Sequence, residues 1–284
     1  MADSPDKIQW HPAFYAAAGL ELQENIDELE LIPEYNLSKE PIRIDLLIIK
    51  DSAKKKAIKN EIGHIMKKNN VIEYKSPEDG MTIDDFYKTI GYACLYKGYG
   101  KTVNEIPQQE ITVSLFREAY PKELFAMLEN EGHCIEERYP GIYYITNNLS
   151  FPVQIVVTSR LNPETHSSLR ILSNHADKKD VERFLAEAEK LSSPESLNNV
   201  DAVLQASVSA NYDIYEEVRR DSIMCQALRE LMKDEIETEI NEAENRVKLE
   251  DIKGIMESFS VTAEQAMDAL KIPQAKRAAI ISKL

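Results

Sequence analysis

The sequence predicts an α/β fold, a mixed sheet flanked by helices, with a helical C-terminal extension. Three observations lead there. Short β-branched, apolar segments bounded by turn residues recur through the first 175 residues, among them Arg43-Ile44-Asp45-Leu46-Leu47-Ile48-Ile49-Lys50 and Val71-Ile72-Glu73-Tyr74-Lys75-Ser76-Pro77. Helical patterns separate them, and this interleaving is the signature of a sheet packed by helices. After residue 176 the composition shifts. Between Pro194 and Gly254 there is neither Pro nor Gly, and Ala, Leu, Glu and Lys dominate. The expected division is a sheet domain over 1–175 and a helical extension over 176–284.

Each element has a local reason. His11-Pro12 opens a helix, because Pro is tolerated in the first turn. Phe14, Ala17, Ala18 and Glu21 follow at i, i+3, i+4 and i+7, so Glu21 lies on the apolar stripe. Residues 29–37 alternate loosely and read as a strand broken by Pro33, and Pro41 introduces the Asp45 strand. Residues 52–68 read as a helix with Ala57, Ile58, Ile62 and Ile65 inward. The Glu73 strand stops at Pro77. Thr82-Ile83-Asp84-Asp85 starts the next helix, with a hydroxyl cap and acids in its first turn. Phe86, Ile90, Ala93 and Cys94 carry that helix to Gly98. Residues 111–116, 141–146 and 153–159 read as further strands, with a helix over 121–131 after the first. In the tail, 235–250 is heavily charged around a thin stripe of Ile236, Ile240, Ala243 and Val247. It reads either as a projecting helix or as a coiled-coil seam through which a homodimer would form. A capping box, Thr262…Gln265, opens a short helix to Leu270, and 274–284 makes a last one.

Composition narrows the function classes. No run approaches the roughly 20 apolar residues of a membrane helix, and the polar, acidic first residues do not resemble a signal peptide. Cys94, Cys134 and Cys225 are far apart and odd in number, so they form neither a zinc spacing nor a disulfide framework, and a reduced cytoplasm is the expected setting. The net charge of −15 argues against bulk attraction to nucleic acid. The one basic cluster is Lys54, Lys55, Lys56, Lys59, Lys67 and Lys68, between the two key strands. It is either a solvated face or a phosphate-facing patch.

The chemistry-bearing positions lie on those strands. Asp45 shares a face with Leu47 and Ile49, and a carboxylate on an apolar face is costly unless paired or metal-bound. Glu73 and Lys75 project from one face about 7 Å apart at Cα. This is a compact layout for a divalent metal with a water beside it. The alternative is a surface ion pair along one strand. Gly100-Lys101-Thr102 imitates the end of a P-loop, but Leu95 stands where the first glycine is required. The histidines His64, His133, His166 and His175 show no ligand spacing, and His11 reads as a cap or structural residue.

Asp45…Glu73-x-Lys75, preceded by Glu21, resembles the PD-(D/E)XK nuclease signature. Trp10-His11-Pro12-Ala13-Phe14, Ile44 to Lys50, Glu73 to Pro77 and Asp84-Asp85-Phe86-Tyr87-Lys88…Gly91-Tyr92-Ala93-Cys94-Leu95-Tyr96-Lys97 are similar to bacterial proteins of its Rpn-type, transposase-associated branch. The likeness runs over about residues 8–100 and loosens through about 175. It departs from the pattern where Ile44, rather than Pro, precedes Asp45. The resemblance implies a restriction-endonuclease-like sheet and Mg²⁺- or Mn²⁺-dependent hydrolysis of phosphodiester bonds, with DNA as substrate. It implies Asp45 and Glu73 as metal ligands, Glu21 on a metal-bound water or second ion, and Lys75 on the attacking water. The helix after Lys75 would line the site, with Lys88 near phosphate and Lys54, Lys55, Lys56 and Lys59 along the nucleic-acid path. Its tyrosines Tyr87, Tyr92 and Tyr96 read as packing residues with polar tips, with contact to phosphate as the alternative for Tyr87. Two other readings stay open, a catalytically silent scaffold on the same fold and an RNA-directed nuclease.

Overall fold

The computed structural model describes residues 9–36, 43–51, 57–221, 228–229, 232–233, 237, 249–256, 261–270, 272 and 277. The chain divides into two compact units, 1–228 and 229–284. The first is built on one seven-stranded sheet. Its strands are β1 (Leu29–Asn36), β2 (Arg43–Lys50), β3 (Asn69–Tyr74), β4 (Ile111–Arg117), β5 (Cys134–Tyr139), β6 (Ile142–Thr146) and β7 (Val153–Val157). They lie in the order β1-β2-β3-β4-β7-β6-β5. The pairs β3–β4 and β4–β7 are parallel and the rest antiparallel, so the sheet is mixed, as the sequence predicts.

The helices are α1 (Trp10–Glu21), α2 (Ile83–Gly98), α3 (Lys122–Asn130), α4 (Ser167–Arg170), α5 (Lys178–Ala188), α6 (Pro194–Ala210) and α7 (Tyr212–Asp221). The central strands β3 and β7 are buried along their whole length, as parallel strands covered on both faces must be. Pro33 does not break β1. It sits on the sheet edge, where a missing N–H costs no ladder bond. β5, at the other edge, is mostly exposed and has little apolar alternation to betray it. It turns into β6 at Gly141, whose φ of +74° suits glycine, and a Cβ there would lie 2.7 Å from the Arg160 carbonyl carbon.

α1 is pinned to the sheet by Phe14, which is fully buried. Its ring stacks on Tyr74 at a centroid distance of 4.3 Å and meets Phe116 edge-on at 5.1 Å. α1 also packs against α4 and α6. Gly19 permits that approach, since a Cβ on it would come within 2.8 Å of Asn199 Nδ2.

Two further expectations change. No helix spans 52–68. Residues 57–60 are irregular and a single 3₁₀ turn, Glu61–Ile65, follows; residues 52–56 lie outside the described residues. The expected inner face is kept in part, with Ile58, Ile62 and Ile65 buried. Asn60 caps the turn by accepting the Ile62 N–H at 3.0 Å. Gly63 lets Ile58 fold against it, since a Cβ there would meet Ile58 Cγ2 at 2.2 Å. The compact units also divide at 228, not at 175, because α6 runs along α1 and α5 and α7 pack together.

In the second unit, the helix Ala263–Ala269 carries the expected capping box of Thr262 and Gln265. It packs around Ile252, Ala266, Met267 and Ile272. Cys225, Ile236, Ile240, Ala243 and Val247 lie outside the described residues, and so does 274–284 except for residue 277. No helix among the described residues is long and apolar enough to cross a membrane.

Replacing Phe14 with Ala removes the ring that fastens α1 to β3 and β4. Urea unfolding is expected to give a loss of about 3–5 kcal/mol. A loss below about 1 kcal/mol would mean the stack contributes little.

Candidate active site

The site forms where β2 and β3 part. Their antiparallel ladder ends with Leu46 across from Ile72, and one step further the register brings Asp45 across from Glu73. Residues so placed share a face of the sheet, with Cβ atoms about 5 Å apart. Lys75 N–H donates to Phe116 O at 2.9 Å, so the Tyr74 N–H points the other way, toward β2. Its partner is the Asp45 side chain, at 2.9 Å to Oδ2. The Asp45 carboxylate thus fills the gap left by the ladder.

Two positive groups come from the chain beyond β3. Lys75 Nζ lies 3.3 Å from Glu73 Oε1 and 2.7 Å from Asp85 Oδ1. Lys88 Nζ, one turn further along α2 and half exposed, lies 3.5 Å from Glu73 Oε1 and 3.9 Å from Asp85 Oδ1. From α1, His11 Nδ1 stands 3.8 Å from Asp45 Oδ1. Tyr15, one helical turn beyond His11, has a buried hydroxyl without a hydrogen-bond partner.

Burial raises the pKa of both Asp45 and Glu73. The Asp45 charge raises Glu73 further, while the two lysines oppose the rise. For Asp45 the opposing influences are the Tyr74 N–H, then His11. Lys75 is desolvated, which works against its charge, but Asp85 and Glu73 outweigh this and hold it above the ordinary lysine range. Asp85 is partly desolvated, yet Lys75 and Thr82 hold it below the usual carboxylate range. By formal charge the site holds three carboxylates beside two ammonium groups.

The structure brings Asp45, Glu73, Lys75 and Lys88 together, and it does not bring Glu21 to them. Glu21 ends α1, whereas His11, beside Asp45, begins it. Ten residues of helix separate the two by about 15 Å. The Glu21 carboxylate instead joins a second buried cluster. Its Oε2 meets His166 Nδ1, its Oε1 accepts from Ser168 Oγ at 2.5 Å, and Asn60 Nδ2 donates to it at 3.0 Å. His166 Nε2 lies 3.1 Å from Glu61 Oε2. Lys59 pairs with Glu24 at 2.8 Å, both well exposed, beside a cavity of about 260 Å³ near Glu21. Lys54, Lys55 and Lys56 lie outside the described residues.

Tyr96 is buried and donates to Asn69 Oδ1 at 3.0 Å, and Tyr87 donates to Glu131 from an exposed position. Asp85 and His11 are the members of the site that the metal-binding pattern leaves out. In the sequence Asp85 belongs to the Thr82–Asp85 helix start and to the Asp84–Lys97 block that carries the family resemblance, and neither gives it a role beside Lys75.

Among the described residues no group of three or more His, Cys, Asp or Glu is arranged to hold a metal ion. Asp45 and Glu73 still offer hard oxygen donors suited to Mg²⁺, which takes one or two carboxylates and keeps several waters. Asp45 and Glu73 are desolvated and repel each other, which raises the pKa of Glu73 in particular, and a cation between them would relieve that repulsion. The residues fit a divalent ion on these grounds. Comparison with protein-family models, curated proteins and solved structures returned no match.

The second cluster sets a pH dependence. His166 is almost wholly buried, and only an imidazolium can donate to both Glu21 and Glu61. Burial opposes that charge, but the two carboxylates outweigh it and raise the His166 pKa. Glu187 lies behind Ser167, which donates to it, and Lys59 and Glu24 stand at the cavity rim. A folded pKa above the unfolded value of 6.5 means the stabilisation is complete below pH 6.5 and is lost as pH rises through the folded value. His166→Gln is thus expected to cost about 3–5 kcal/mol near pH 6, with the gap to the parent narrowing toward pH 9. Urea unfolding across that range checks this, and a gap independent of pH would show that His166 is held neutral.

Proposed function

We propose that the protein is a divalent-metal-dependent phosphodiesterase acting on nucleic acid, with DNA as substrate. The observation that carries this reading is the pair of desolvated carboxylates, Asp45 and Glu73, facing one gap between β2 and β3 with the Lys75 ammonium beside them. The order of Asp45, Glu73 and Lys75 along the chain, which resembles the PD-(D/E)XK signature, supports it. A cytoplasmic setting accords with such a substrate.

Asp45 and Glu73 would hold Mg²⁺ or Mn²⁺. Bound there, the ion supplies charge neutralisation at the scissile phosphate and a water of lowered pKa. Lys75 donates to the attacking water and offsets negative charge as it develops on the phosphate. Lys88, nearer solvent, steadies a non-bridging phosphate oxygen as a point charge. The Tyr74 N–H holds the Asp45 carboxylate in place, so that oxygen need not reorganise during the reaction. Glu21 takes no part in the chemistry.

A non-catalytic binding role on the same fold is the second reading. The observation favouring it is that Lys75 is engaged by two carboxylates and Lys88 lies within reach of the same two.

With Mg²⁺ or Mn²⁺ the protein is expected to nick supercoiled DNA. Asp45→Ala should abolish turnover, and Lys75→Ala should lower it by about 10²–10³-fold, as for loss of one charge-stabilising donor. Ca²⁺ should bind without supporting turnover, because its looser geometry positions water poorly. Cleavage unchanged in Asp45→Ala would sink the assignment. Cleavage of RNA but not DNA would reassign the substrate, and no cleavage of either would favour the binding role.

A further inference from the structure

We infer that Asp85 is a positioning residue, which keeps the Lys75 ammonium in the site when a divalent cation occupies Asp45 and Glu73. The inference rests on the metal-dependent reading above. Its basis is the way the start of α2 holds this carboxylate.

Asp85 is the third residue of α2, and its two oxygens have separate tasks. Oδ2 accepts from Thr82 N–H at 2.9 Å and from Thr82 Oγ at 2.8 Å, while Thr82 Oγ accepts from Asp85 N–H at 3.2 Å. This reciprocal capping box fixes the carboxylate relative to the helix axis. Oδ1 remains free of the cap, and it lies 2.7 Å from Lys75 Nζ. That contact is shorter than the 3.3 Å from Lys75 to Glu73 Oε1. Only about a fifth of the Asp85 side chain is exposed, against about a seventh for Lys75, so the pair is shielded from the screening that weakens surface pairs.

The consequence follows from charge. Lys75 is a flexible four-carbon stem with a compact charge at its tip. With Glu73 as its sole partner it would settle on the carboxylate that a metal needs, and it would be driven out when a doubly charged ion took that carboxylate. Asp85 removes both problems. It draws the ammonium off Glu73, and it keeps an attractive partner for Lys75 once the charge of Glu73 is spent on the cation. Lys88 does not take the place of Lys75 on Asp85, because its amine is half exposed and lies farther from that carboxylate, at 3.9 Å.

The test is a double-mutant cycle on Mn²⁺ binding, read by calorimetry with protein and metal alone, so that it does not depend on turnover. Asp85→Asn keeps an oxygen that accepts from Thr82, and with it the cap, while removing the charge. Asp85→Gln, another neutral residue common at this place in capping boxes, serves if the first variant melts well below the parent. Asp85→Asn is expected to weaken Mn²⁺ binding by about 10–100-fold when Lys75 is present, since the freed ammonium then competes for Glu73. In a Lys75→Met background the same change should have less than about a third of that effect. In DNA cleavage, Asp85→Asn should lower kcat by about 10–100-fold with KM for DNA little changed, and Asp85→Glu should restore part of the loss.

Equal effects on Mn²⁺ binding in both backgrounds would overturn the inference, even if the parent cleaves DNA. Coupling in Mn²⁺ binding by a parent that cleaves no nucleic acid would uphold the positioning of Lys75 and overturn the catalytic reading. A parent that binds no Mn²⁺ would overturn both.

Discussion

The antiparallel register of β2 and β3 is the constraint on which the site depends. It brings Asp45 across from Glu73 at the point where the ladder ends, so two acids enter a protein interior side by side. Burying one carboxylate is costly, and burying two that repel each other is more so. The neighbouring structure answers that cost. The Tyr74 N–H gives Asp45 a hydrogen bond that the ladder would otherwise take. Lys75, just past β3, and Lys88, on the helix whose start Thr82 caps, bring positive charge to Glu73. Three carboxylates beside two ammonium groups leave the gap formally short of one positive charge, and the proposal that it takes a cation rests on this shortfall.

α1 links this site to a second charged cluster without joining the two. Its first turn lays His11 beside Asp45, and its last residue carries Glu21 to His166 and Asn60. Phe14, stacked on Tyr74, fixes the helix between them. The His166 cluster therefore anchors the Glu61–Ile65 turn, and through it the chain leading into β3, to α1 and α4. It is a structural fastening, and it stands apart from the gap between β2 and β3.

Much of this was legible in the sequence, and the gaps have physical causes. Strand patterns are local, so β2, β3 and the positions of Asp45, Glu73 and Lys75 could be read directly. The 3.6-residue period identified the buried face of α1 and Glu21 upon it, but it carries no information on which end of the helix meets the sheet. His11, not Glu21, meets Asp45. Residues 57–65 have the apolar spacing of a helix, yet Asn60 caps a turn instead and Gly63 admits Ile58. β5 escaped notice because an exposed edge strand needs little apolar alternation. Asp85 was visible as a capping residue. Its partnership with Lys75 depends on how α2 docks beside β3, and no local pattern encodes that.

Asp45 and Glu73 form a desolvated, mutually repelling pair, and the proposed divalent cation would relieve it. Thermal unfolding of the parent and of Asp45→Asn, each with and without Mn²⁺, tests it most directly. Asn retains an oxygen for the Tyr74 N–H but removes one charge of the pair. Asp45→Asn is expected to melt above the parent in metal-free buffer, and Mn²⁺ to raise the melting temperature of the parent but not of the variant. A variant that melts below the parent without metal, together with a parent indifferent to Mn²⁺, would contradict it.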